Sequence, residues 1–407
     1  MQRSRIARSG MLAMLLATPT LAQNVWIVDD DGGAGVHFTD IPPAIAAASP
    51  GDVLRVYPGF YGGFVLDKPL VIVGQQGETV VTGPFTVTGI QVGPFMPVVS
   101  NLRVNAPVSY ATTIQSCTAT VLLDRLVGWG SPNAELKLTS CADVRVQRCT
   151  WFGKPVYGPG ADGHTAVYAS TSRLLISDST CVGSDGRDAS NWNGYGGNGG
   201  SGIGSFGSSE VHAYRCYVKG GNGGWALGTW PPPQHGYGGR GIDAQNVLVA
   251  GLPQHAVSAG LSAGSNLPFY GITASTLRAS GVTVTGTVVA AVQELPAPPD
   301  PSLQLITILP AAGQDLDLRI DGPPGAQVEL VFGRRPVIVD QPGLQEDILV
   351  LETRRVIAGP IPSSGALDWT IALSPALPHG TVFLVQAELT YPAGDLRRTN
   401  SVTVALR

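Results

Sequence analysis

Charge is scarce in this chain of 407 residues: only 13% are Asp, Glu, Lys or Arg, against about 25% in an average globular protein. The net charge is −4 and no Lys/Arg cluster occurs. Both points exclude the electrostatic footprint of a nucleic-acid binder. Long apolar runs are also missing. The best, Met11 to Ala17, is too short to cross a bilayer, so no transmembrane segment is expected. Cysteine is sparse and odd in number. Cys117, Cys141, Cys149, Cys181 and Cys216 include no Cys-x-x-Cys pair and no zinc spacing with His. No Gly-Lys-Ser/Thr follows the glycine-rich phrases, which excludes a phosphate loop.

Glycine and proline are abundant, at 53 and 32 residues. Beside 43% hydrophobic residues, they indicate a packed chain of short elements and many corners rather than disorder. Residues 1–22 read as a secretory signal: Arg3, Arg5 and Arg8, then the short apolar run, then Thr20-Leu21-Ala22 before Gln23. The expected location is therefore secreted or at the cell surface.

From Gly51 to Gly74 three short β-rich runs (Val53 to Val56, Phe64 to Leu66, Leu70 to Val73) are separated by Pro58-Gly59, Asp67-Lys68-Pro69 and Gly74. The corners leave no room for a helix, which is the pattern of one solenoid coil. Just before it, Phe38 to Ala48 reads as a short helix capped by Asp40, with Pro42 and Pro43 in its first turn. The helix, Ser49 to Tyr61 and Leu66 to Gly74 together resemble the opening of right-handed parallel β-helix proteins of the pectin-lyase-like superfamily. The resemblance implies that the helix caps the open end of the solenoid. It speaks to fold more than to function.

A repeat supports the same architecture. Segments starting at Val121, Val144, Leu174, Val211 and Val247 each read apolar-x-apolar, and the first four run through a polar pair to a Gly. Their starts lie 23, 30, 37 and 36 residues apart. The longer intervals are a coil of about 23 residues plus an insertion. Stacked coils bury one another's apolar sides. The five cysteines are expected as small buried residues in successive coils; Cys117 and Cys141, about one coil apart, are the pair to test as a disulfide.

The expected organisation is a signal at 1–22, an amino-terminal strand and capping helix at 23–50, a right-handed parallel β-helix at 51–294, a proline-rich linker at 295–301 and a small antiparallel β-sandwich at 302–407. The class is all-β.

No motif fixes a chemistry. The β-helix family includes polysaccharide lyases and glycosidases, and either could work on the solenoid groove. Lyases need a base and a cation beside a uronate. Here Arg148, Arg215 and Lys219 fall at repeat positions without an acidic cluster, and read as solvated charges. Glycosidases need two facing carboxyls, and nothing pairs Asp162, Asp178, Asp185, Asp188 or Asp243. Asp29-Asp30-Asp31 reads as a turn, so no metal or cofactor is expected.

The insertions 184–201 and 221–241 are the informative stretches. They share Gly-Gly-Asn-Gly-Gly and Gly-Tyr-Gly-Gly, and should leave the same corner of adjacent coils side by side. Trp192, Tyr195, Trp225, Trp230, His235 and Tyr237 offer flat faces for sugar rings; Asp185, Asp188 and Asn198 offer hydrogen bonds. The bland alternative has the aromatics anchoring the loops to the coil. Polysaccharide binding without catalysis is the favoured expectation, beside a lyase or glycosidase and a purely structural or adhesive module.

Overall fold

The computed structural model describes residues 24–405, apart from 75–78, 107–110, 129–135, 155, 191–193, 227–233, 251–255, 264–269, 281–282, 295–301, 306–312, 339–347, 376–381, 393–395 and 400–401. The expected signal, the proline-rich linker, Trp192 and Trp230 lie outside the described residues. The chain divides into a unit spanning Trp26–Leu295 and a second unit that takes in Pro296–Arg407.

The larger unit is a parallel β-helix. Each coil contributes one short strand to each of three parallel sheets. Val53–Val56, Gly59–Tyr61 and Val65–Leu66 belong to the first, second and third sheets, and Val25–Val28 pairs with Val53–Val56 at the open end of the first. The repeat visible in the sequence is the register of the first sheet: Val121 lies beside Val144, then Leu174, Val211, Val247 and Leu277. These residues and those two places on, such as Leu123, Val146 and Ile176, face one continuous core. The final strand pair breaks the three-sheet rhythm, because Tyr270–Ser280 pairs with strands of both the third and the first sheet.

The helix at the open end is shorter than its sequence pattern suggests. It spans Ile41–Ala47, because Phe38 is held in a parallel bridge with Val28. Asp40 caps it and also accepts the Gly62 N–H, and Lys68 donates to the Ala48 carbonyl. Ile41, Ala44 and Ile45 close the end of the core.

Two corners repeat a left-handed residue. After the first sheet stand Asn101, Arg125, Arg148, Asp178 and Arg215, with φ between 49 and 62°. After the third stand Gly89, Ser116, Ser140, Thr171 and Gly207, with φ between 47 and 69°. Apart from Ser208 after Gly207, the residue that follows is buried. At one corner Cys149 and Cys216 alternate with Ser179. At the other, Cys117 and Cys141 are followed by Ser172. In every case the thiol or hydroxyl donates to the carbonyl two residues back.

The second unit is a β-sandwich. Its three-stranded sheet orders Ser302–Leu305, Asp315–Asp321 and Ala366–Ala372, all antiparallel. Its other sheet centres on Gln327–Ile338 between Ile348–Pro360 and Val382–Thr390. Leu316, Leu318 and Ile320 from one sheet meet Val328, Leu330 and Val385 from the other in a common core.

Candidate ligand-binding site

Both glycine-rich insertions leave the solenoid between its second and third sheets. They are not loose loops. Segments 158–165, 183–190, 194–202, 220–226, 234–241 and 259–263 lie against one another and exchange backbone hydrogen bonds every third residue. Gly197 and Gly200 N–H donate to Arg187 and Ser184; Gly224 and Gly221 to Gly197 and Gly200; Gly236 and Gly239 to Gly224 and Gly221. These six pairings run antiparallel, at 2.7 to 2.9 Å. A three-residue period is that of a polyproline II strand, which has no internal hydrogen bonds and must find partners outside.

Parallel pairings complete two layers. Segments leaving the solenoid bond to one another through Gly186 to Asn222, Ala189 to Trp225, and Gly223 to Leu261. Segments returning to it bond through Gly163 to Asn198, Gly199 to Tyr237, and Gly202 to Arg240. Glycine is required here by close approach, since none of the described glycines in 183–202 or 220–241 has a left-handed φ. A Cβ on Gly221 would collide with the Ser184 carbonyl oxygen, and one on Gly239 with that of Gly200.

Side chains recur at every third position of the glycine triplets. On the outgoing layer they are Asp185, Asp188, Asn222 and Trp225; on the returning layer, Asp162, Tyr195, Asn198, Ser201, Tyr237 and Arg240. The expected binding residues are therefore adjacent in the fold but divided between two layers. Their polar members have structural work as well. Asp185 and Asp188 accept the N–H groups of Asn222 and Trp225 at 2.6 and 2.7 Å. Asp162 accepts that of Asn198, and Asn198 that of Tyr237. His235 accepts the Ala226 N–H and meets the Trp225 ring edge-on at 5.0 Å. Tyr195 and Tyr237 remain 60% exposed and Trp225 46%. The glycine backbones hold the insertions together through the bonds given above.

The returning segments run straight into the third sheet. A depression of about 310 Å³ is lined by Asn198, Ser201, Tyr237, Arg240 and Asp243, among others. A second, of about 580 Å³, lies on the outer face of the third sheet between Phe206, Asp243, Gln245 and Thr273. Asp243 belongs to both. Arg240 is paired with it and lies over the Tyr270 ring at 5.7 Å. Gly204 stands between Tyr168 and Asp243 in the outward row of this sheet, which keeps the floor low. Sequence reasoning missed Arg240, Phe206 and Asp243 as one site. The x-Gly-Gly triplets, which place Tyr237 and Arg240 three apart and on one side, are the signal that could have found it.

Two of the three repeated basic residues, Arg148 and Arg215, are ion-paired rather than solvated. Arg215 makes a two-pronged pair with Asp178 at 2.7 and 2.6 Å, and Arg148 pairs with Asp124 at 2.8 Å. Both are corner residues of the first sheet. That sheet's outward positions hold further pairs, Arg145 with Asp143 and Arg173 with Glu210, while His212 bonds Glu210. The Glu210 carboxyl is held below its ordinary value, first by that hydrogen bond. Asp124, Asp143, Arg145 and His212 are all buried, so most of these charges are paired beneath the surface. Lys219 lies on the outward side of the second sheet, between Val182 and Ser258.

Asp29, Asp30 and Asp31 cluster closely enough to share an ion. Asp30 nevertheless accepts the Phe60 N–H, and Asp29 that of Asp31, as in a turn. All five thiols are free and buried, Cys117 and Cys141 at one corner of successive coils. Burial pushes the Cys216 thiol up to about 12. Comparison with known proteins adds no relative: no family model matches the chain, and no curated protein matches it.

Proposed function

We propose that the chain is an exported or surface-displayed β-helix protein, similar in build to the pectin-lyase-like superfamily, that binds polysaccharide without cleaving it. The observation that carries this reading is the exposure of Tyr195 and Tyr237 on an array whose backbones are already bonded to one another. Exposed aromatic rings on a rigid support are placed to meet a flat apolar partner. A sugar ring offers a flat C–H face to such a ring and hydroxyls to the Asn, Ser and Arg groups beside it. Rigidity matters too, because an ordered platform loses little freedom on binding.

The carboxylates favour binding over hydrolysis. Asp243 is the only carboxylate among the described residues lining the two depressions, and hydrolysis by the usual route needs two. Glycan-array binding, run beside lyase and reducing-sugar assays on the secreted protein, tests the reading. Retention on glycans with no cleavage is the expected result. Unsaturated products from uronate polymers, or new reducing ends, would replace it with an enzyme.

A further inference from the structure

The two faces of the glycine array are not equivalent. The outgoing face, with Asp185 and Asp188 accepting backbone N–H groups and Trp225 edge-on against His235, contributes no residue to either depression. The returning face continues into both depressions. Along this path Tyr195 and Tyr237 give way to Arg240 and Asp243, then to Phe206, itself 70% exposed. Aromatic surface thus stands at both ends of a polar middle, the arrangement suited to an extended chain of rings.

Charge decides which chain. Arg240 and Asp243 are the charged groups among the described lining residues, and they cancel one another. The remaining polar lining is amide and hydroxyl: Asn198, Ser201, Gln245, Thr273 and serines. A polyuronate would bring its carboxylates beside Asp243 with no spare cation to receive them. A neutral chain can accept from the Arg240 guanidinium and donate to the Asp243 carboxylate without separating them.

We infer that the returning layer and the third sheet form one groove for a neutral polysaccharide, read by the Arg240–Asp243 pair. This rests on the binding function proposed above and adds its location and ligand class.

Affinity electrophoresis of the full chain through soluble neutral glucan, mannan or galactan, and through polygalacturonate, tests it. Retardation by a neutral polymer, unchanged between low and high salt, is expected, because no net charge is matched. Tyr237→Ala should weaken it about tenfold, the loss of one stacked ring. Asp243→Asn frees Arg240 and should confer salt-sensitive retardation by polygalacturonate that the parent chain lacks. An unchanged melting temperature for each variant excludes misfolding as the cause.

Salt-sensitive retardation of the parent by polygalacturonate alone would overturn the inference while leaving polysaccharide binding in place. So would loss of binding in Trp225→Ala with none in Tyr237→Ala. No retardation by any polymer overturns both.

Discussion

At the scale of the residue, position in the coil decides what a side chain does, and identical residues have different parts. Cys149 stands at a corner where Ser179 and Cys216 occupy the equivalent places. Cys181 lies in the apolar row between Trp151 and Val218. Cys149→Ser keeps its corner hydrogen bond and should cost less than about 1 kcal/mol. Cys181→Ser puts a hydroxyl in an apolar row and should cost about 1–3 kcal/mol. Equal losses in denaturant titrations would mean that the corner bonds contribute nothing. Glu210 gives a pH prediction. Its folded pKa lies below the ordinary 4.5, so its contribution is present above that value and disappears as the pH falls beneath it. The acid-side drop in melting temperature should be shallower in Glu210→Gln. Superimposable acid profiles would remove the residue from the account.

At the scale of the element, the glycine segments behave as strands although their composition is that of linkers. Gly221→Ala forces a Cβ against the Ser184 carbonyl and should cost about 1–3 kcal/mol. Asn222→Ala, one residue on, only leaves the Leu261 N–H without its acceptor, at about 1 kcal/mol. Thermal melts that ranked the two the other way would mean the segments are not closely packed. The strands of the solenoid were legible because Val121, Val144, Leu174, Val211 and Val247 alternate with period two and recur at each coil. The glycine array was not, because its period is three and its partners lie in other coils. A reader counting turns sees corner residues; only the spacing of Tyr195, Asn198 and Ser201 tells otherwise. The short helix was legible through Asp40 and its prolines, though Phe38 belongs to the preceding bridge.

At the scale of the whole molecule, the solenoid does two things at once. It buries the apolar row of each coil against the next, and it sets the roots of the glycine segments in register so that they can bond laterally. The array is therefore a product of the stack, not of its own sequence alone: one polyproline II strand has no bonds to itself. That is why the site residues could be named singly from the sequence but not sorted onto faces. It is also why Asp185 and Asp188 read as ligand groups before their backbone partners were visible. The binding proposal depends on this rigidity, since a floppy glycine loop would hold Tyr195 and Tyr237 in no fixed relation. Amide hydrogen exchange on the full chain measures it most directly. The account predicts that the N–H groups of Gly186, Gly197, Gly200, Gly221, Gly224 and Gly239 exchange as slowly as those of the adjoining solenoid strands. Exchange at the rate of an unstructured peptide in these residues, with the strands still protected, would contradict it.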